Sequence, residues 1–291
     1  MKPINIQPPS KGFQRWIRKT HTSLLRRINP LGFHTIPFDH GLRLRVRHID
    51  RIGRRIYLDG YSEPELATFL YATLQPGMTF IDIGANLGQF TVLAARLVGP
   101  TGTVHAVEAA SVMHQQIVDN LQLNAFDQAT THHLALSDRE GTIQLNTCVP
   151  GQEAFNSIGR PDRQEARVTG SETVRTTTLD GFCHEQHIDH ADILKIDVEG
   201  AEALVLQGGA TLLGQPNAPV IFCEFNETAA RGAGSSTATI RNLLNNYGYS
   251  LYRFDHHHIS LTPEPDHDHY QDSANLIAAK HPNHVFPQLS K

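Results

Sequence analysis

The stretch Phe80-Ile81-Asp82-Ile83-Gly84-Ala85-Asn86-Leu87-Gly88-Gln89-Phe90 constrains the fold more than any other part of the chain. A short apolar run ends in an acid, crosses a turn with two glycines and enters a helix start. Glycine supplies turn conformations closed to other residues and lets another group approach the backbone closely. The same rhythm continues downstream. Residues 78–83, 103–107, 130–136, 193–196, 220–224, 249–254 and 275–279 read as strands, and 88–98, 112–123, 201–206 and 240–247 as helical. Repeated β-α units predict a doubly wound α/β, Rossmann-like architecture, with a mostly parallel sheet covered by helices on both faces. Ligands of such sheets bind beyond the carboxyl ends of the strands, where the strand order reverses.

The turn chemistry narrows the ligand. Dinucleotide sites use Gly-x-Gly-x-x-Gly to bring a diphosphate onto a helix N-terminus. Here the pattern is Asp-x-Gly-x-Asn-x-Gly, with Gly84 and Gly88 as its glycines and Asn86 between them. Asp82 at the strand end would repel a diphosphate. S-adenosylmethionine carries none. Its ammonium suits Asp82, and its carboxylate suits the exposed amides of the turn. Glu108, 26 residues after Asp82, ends the next strand and can accept from both ribose hydroxyls. Ser137 and Asp138 end the third, where the acid can accept from the adenine amino group.

With these residues in order, the chain resembles the FkbM family of S-adenosylmethionine-dependent methyltransferases from about residue 57 to 279. The run Leu194-Lys195-Ile196-Asp197-Val198-Glu199-Gly200-Ala201-Glu202 is similar to the family signature after the fourth strand, and Thr178-Leu179-Asp180 and Phe222-Cys223-Glu224 also fit. Two departures stand out. Ala109-Ala110 follows Glu108 where the family commonly has proline, and Tyr61-Ser62-Glu63 replaces a Tyr-Glu pair. The resemblance implies a seven-stranded sheet with the last strand antiparallel. It also implies methyl transfer, usually to a hydroxyl on a sugar, polyketide or similar metabolite. Asp197 is then expected beside the methionine end of the cofactor, holding its ammonium. Glu199 is the candidate general base and Glu224 a third converging carboxylate, while Glu202 suits the positive end of a helix. The rivals are a non-catalytic S-adenosylmethionine-binding interaction protein and a nicotinamide dehydrogenase, which the missing third glycine disfavours.

Charge is unevenly spread. Up to Arg55 there are 13 Lys or Arg against Asp39 and Asp50, leaving 12 bases and 27 acids for the rest. A basic N-terminal arm with a small helical and β segment (1–60) therefore precedes an acidic methyltransferase domain (61–291). Residues 11–28 pattern as an amphipathic helix, either packed on its own domain or laid on an anionic surface. Leu42 to Arg47 alternates apolar with basic as a half-exposed strand does. Ser62-Glu63-Pro64-Glu65 reads as a capping box opening a helix through Leu74. The polar stretch 148–171 reads as a loop between two short strands, with Asn156 and Ser157 as acceptor contacts or plain loop polarity.

Cys148, Cys183 and Cys223 are dispersed and match no metal or disulfide framework. Asp255-His256-His257-His258 and Asp266-His267-Asp268-His269 lack helical metal-ligand spacing, so no metal is expected. With no signal-like stretch and no apolar run long enough to span a bilayer, the expected compartment is cytoplasmic. The expected partner is a small-molecule or glycan hydroxyl acceptor. No nucleic acid is expected, a peripheral contact of the arm with an anionic surface is open, and the oligomeric state is undetermined.

Overall fold

The computed structural model describes residues 12–159, 166–265, 270 and 273–286. The Asp266 to His269 cluster lies outside them.

The N-terminal part comprises α1 (Gly12–Ile28), β1 (Phe33–Phe38), β2 (Leu42–Arg47) and α2 (Arg51–Asp59). The strands form an antiparallel ribbon, and β2 buries Leu44 and Val46 while exposing Arg43 and Arg45, as its alternation predicts. Helix α2 was not anticipated, because its basic residues obscure Ile52 and Ile56 one turn apart. Its start signal was present: the Asp50 carboxylate accepts from the amides of Ile52 and Gly53. Burial, with Glu153 nearby, raises this carboxyl to about 6.

Next come α3 (Pro64–Thr73), β3 (Thr79–Ile83), α4 (Gln89–Val98), β4 (Thr103–Glu108), α5 (Ser111–Asn124) and β5 (Ala129–His133). The N-terminal ribbon is fastened to α5, whose Asn120 accepts from the Arg45 amide while Asn124 accepts from that of Arg43. The capping box at Ser62 does not form. Glu63 occupies the cap position without a side-chain bond, and the Ser62 hydroxyl donates to Gln89 instead. Proline already lacks one of the amides a cap would satisfy, so Ser62 is free to tie α3 to α4.

The expected strand 130–136 divides at Leu134. β5 stays in the main sheet, and β6 (Ala135–Ser137) pairs with β8 (Val168–Thr178), itself paired with β7 (Gly141–Cys148). The inserted segment is therefore not merely a loop between short strands. Its two long strands form a three-stranded sheet with β6 and bury Leu145 and Val174. One apolar face in an otherwise polar ribbon is a weak signal in sequence.

The remaining elements are α6 (Leu179–Glu185), β9 (Ile193–Ile196), α7 (Glu202–Gln207), α8 (Ala210–Gly214), β10 (Val220–Phe225), α9 (Glu227–Gly232), α10 (Thr237–Asn246), β11 (Ser250–Asp255), β12 (Ser260–Pro263) and β13 (Ala274–Ala279). The main sheet runs β12-β11-β13-β10-β9-β3-β4-β5. β5, β4, β3, β9 and β10 are mutually parallel, and β13 is antiparallel to both neighbours. The seven expected strands are all present, the last antiparallel. An eighth, β12, returns along the edge from the hairpin at Asp255. Residues on the two faces feed separate cores: Phe80, Val104 and Phe222 pack with the ribbon, α3 and α4, whereas Ile81, Val107 and Ile221 pack with α6, α7 and α10. That is the double winding the β-α rhythm predicts. Among the described residues no helix is long and apolar enough to cross a membrane.

Candidate active site

The carboxyl ends of β3, β4, β6 and β9 open into one cleft enclosing about 1050 Å³, its mouth included. Strand order reverses between β3 and β9, so this is the switch point of the sheet. Helices α2 and α3 close it on one side with Ile52, Ser62 and Glu63, and the insertion closes it on another with Glu153, Asn156 and Ile158.

The turn after β3 is fixed by close approach. A Cβ on Gly84, at φ +77°, would stand 1.8 Å from the Asp197 carbonyl oxygen, so only glycine lets β3 meet the end of β9 here. Gly88, at φ +82°, instead sits against Ile117 of α5 and lies outside the cleft lining. The turn amides do not point at open space. Gly84 and Ala85 donate to the Val107 carbonyl, Asn86 to Glu108, Leu87 to the Asn86 side chain and Gly88 to the Ala85 carbonyl. They therefore cannot receive a ligand carboxylate as the sequence suggested. Neighbouring strands had already claimed them, which local pattern does not reveal.

Gln89 supplies what those amides do not. It is 3% exposed, its oxygen accepts from the Ser62 amide and hydroxyl, and its Nε2 faces no acceptor although the residue lines the cleft. A buried donor left unpaired is costly, which makes Gln89 a candidate ligand contact.

Of the anticipated residues, Gly84, Asn86, Glu108, Ser137, Asp197 and Glu199 line the cleft; Asp82, Asp138 and Glu224 do not. Asp82 is fully buried beneath the turn, where it accepts from the Thr91 hydroxyl and faces the Lys195 ammonium at 3.4 Å. It is therefore set back from the cleft that a ligand ammonium would occupy. Asp138 is occupied by the Ser137 hydroxyl and Arg139.

Glu108 takes one amide on each carboxylate oxygen, from Asn86 and Ala110, both at 2.8 Å. A carboxylate has about four acceptor sites, so capacity for two hydroxyl donors remains. Burial raises its pKa to about 7, against the pull of the two amides and Lys195.

Lys195 was not singled out by sequence reasoning, yet it organises the site. Its ammonium, 3% exposed, donates to the Gly84 carbonyl at 2.8 Å and lies 3.3 Å from Asp197. Burial alone would lower its pKa; Asp197, Asp82 and Glu63 reverse that and keep it above the ordinary lysine range. Glu63, likewise overlooked, accepts from Asn275, and burial beside Asp197 raises it to about 7. The displaced Tyr-Glu pair was its signal.

Glu199 lines the cleft in the left-handed region, at φ +52°. Glu202 holds that turn by accepting from the Val198 and Gly200 amides, so it is structural, as its helix-start position suggested. Burial raises Glu202 to about 7. Glu224 is not part of the cleft lining, and burial together with Asp197 and Glu199 raises its carboxyl well above the ordinary range. Asn156 reaches the lining, while Ser157 turns to Gly159. At the far hairpin Asp255 accepts from His257 and His258, and among the described residues no group of three or more ligands could hold a metal ion.

Comparison with known proteins identifies the family. The methyltransferase FkbM domain model matches residues 82–251. A methyltransferase, sdnD, from Sordaria araneosa is 30% identical over 164 residues, covering 47% of this chain and 62% of its own length. The 2-O-methyltransferase NoeI of Sinorhizobium fredii is 26% identical over 163 residues, 53% of this chain and 65% of its own. The chain thus spans less than two thirds of the length of these relatives. Among solved structures, Aeropyrum pernix fibrillarin with bound S-adenosyl-L-methionine overlaps 74% of each chain at 13% identity and a TM-score of 0.40. With the family model covering more than half of its residues, the chain belongs to the FkbM family of S-adenosylmethionine-dependent methyltransferases.

Proposed function

We propose that this methyltransferase acts on a hydroxyl of a sugar, glycan or secondary metabolite. The observation that carries the reading is the pair of carboxylates, Glu63 and Glu199, on the cleft wall near Asp197. An alcohol is a weak nucleophile that benefits from a proton acceptor, worth about 10²–10⁴-fold, whereas a neutral amine attacks without one. The name of the 2-O-methyltransferase relative supports the same choice.

The residues fit the cofactor. Glu108 would hold the ribose, Asp197 the ammonium, the Gln89 Nε2 the carboxylate, and Leu134, Leu136 and Ile158 with Ser137 would wall the adenine. When bound, S-adenosylmethionine supplies an electrophilic methyl group on sulfur. The protein then orients the acceptor, holds Asp197 beside the Lys195 ammonium, and takes the hydroxyl proton at Glu199. A non-catalytic binding role would leave the two wall carboxylates without a task. Incubation with radiolabelled S-adenosylmethionine and a panel of hydroxylated glycans and metabolites, against matched amines, tests the reading: label is expected in an ether. Transfer to amines alone, or to none of the panel, removes it.

Replacing Glu108 by alanine should weaken binding of S-adenosylhomocysteine by about 1.5–3 kcal/mol, as for hydrogen bonds to a charged group. Affinity should also rise with pH between about 6 and 8, because hydroxyl donors favour the carboxylate and its pKa starts near 7. The dependence is at most about tenfold per pH unit. Titration calorimetry at several pH values would show proton release in the native protein and a flattened dependence in Glu108→Gln. An unchanged slope would remove the ribose assignment.

A further inference from the structure

Helix α1 packs on the protein with the wrong face for a core helix. Its contacts with α2 are polar: Arg15 pairs with Asp59, Arg18 donates to the Tyr57 carbonyl, and the buried side chain is Thr22. Four of its apolar residues face outward, Trp16 61% exposed, Ile17 46%, Leu24 53% and Ile28 70%, while Leu25 is half-buried. At 100° per residue these four span about one third of the helix circumference. They share one face of the helix, with Thr20 and Arg27 falling among them.

The stripe is flanked by cations. A groove between α1 and α2 is lined by Lys19, Arg26, Arg51, Arg54 and Arg55, and its one acid, Asp59, is taken by Arg15. We infer that α1 and α2 form a docking surface for a bilayer bearing anionic headgroups, with the stripe at the headgroup–acyl boundary and the arginines over the phosphates. An apolar stripe bordered by Lys and Arg is the physical recipe for interfacial binding. A second copy fits less well. A two-fold contact sets the same patch against itself, which would face each arginine cluster with another. The surface is also continuous with the active site, since α2 presents Ile52 to the cleft while carrying Arg51, Arg54 and Arg55.

Trp16 is the single tryptophan of the chain, so it reports on the stripe directly. The full chain is titrated with vesicles of phosphatidylcholine alone or containing about 30% phosphatidylglycerol, following emission and co-sedimentation. A blue shift is expected, with association at least about tenfold tighter to the anionic vesicles and weakening as salt shortens the screening length. Leu24→Glu with Ile28→Glu, and separately Arg51→Glu with Arg54→Glu, should each lower association by about tenfold or more. All four side chains are exposed, so melting temperature and S-adenosylhomocysteine affinity should stay native. No shift and no co-sedimentation, or equal binding to neutral vesicles, overturns the inference. So does light scattering that shows a dimer dissociated by the Leu24 and Ile28 changes, which would assign the stripe to a second copy.

Discussion

Lys195→Met is expected to destabilise the protein by about 3–5 kcal/mol, the cost of leaving a buried charge without its partner. The charge left behind is that of Asp82, fully buried and paired among the described residues with Lys195, its other oxygen satisfied by Thr91. For a chain of this size each kcal/mol lowers the melting temperature by roughly 2–4 °C, so a fall on the order of 10 °C should appear in thermal unfolding. Two further measurements separate charge from packing. Asp82→Asn in the Lys195→Met background should recover much of the loss, because an amide needs no counter-ion. The sign with pH also follows. In the single variant, a carboxylate with its pKa raised in the folded state makes the native form bind more protons than the unfolded one, so stability falls as pH rises through that pKa. The variant should thus lie closest to the native protein at acid pH. A melting temperature within about 2 °C of native at neutral pH would show that Lys195 does not neutralise the site. S-adenosylhomocysteine affinity should fall as well, since Lys195 also holds the Gly84 carbonyl and contacts Asp197.

Glu199→Gln is expected to cut kcat by at least about tenfold while leaving cofactor affinity nearly unchanged. The substitution keeps volume and removes the capacity to take a proton. Its neighbours make the outcome informative. Asp197 lies against Lys195 on the cleft wall, where it would hold the cofactor ammonium, so Asp197→Asn should damage cofactor binding first. Glu224 is not part of the cleft lining, and burial and surrounding acids raise its pKa. Glu63 is the rival, with a pKa near 7 and a place on the wall. If Glu63→Gln loses turnover and Glu199→Gln does not, the proton goes to Glu63. Both assays need saturating cofactor and the acceptor found by labelling.

Much of the site was legible because its residues lie at strand ends, and strand ends are legible. Asp82, Glu108, Ser137, Asp197 and Glu224 all fall where an apolar run stops, and a parallel sheet brings such ends to one edge. What those side chains then touch was not legible. Asp82 and Asp197 look equivalent as acids after strands, yet Lys195 and Thr91 claim the first beneath the turn while the second opens onto the cleft. Glu63 and Gln89 sit in helix starts, where acids and amides are commonplace, so nothing local separates a wall residue from a cap. The insertion was misjudged for a related reason: β7 and β8 gain most of their order from each other, with only a small buried face.

By itself the sequence determined the double winding, because alternating apolar runs of strand and helix length can bury both faces of a parallel sheet in few other ways. It also determined the position of the cleft, since the Gly84 turn admits no side chain where β3 passes β9. Tertiary structure alone decided which polar groups stay available to a ligand. Each hydrogen-bonding group in the turn had several possible partners in sequence, and burial required every one to be satisfied by whichever neighbour the packing brought near. The amides of residues 84–88 went to Val107, Glu108, Asn86 and Ala85, and the Gln89 Nε2 was left without an acceptor in a residue that lines the cleft. The direction of the apolar stripe on α1 was decided in the same way: periodicity predicts that the stripe exists, but the bonds of Arg15 and Arg18 to α2 turn it outward.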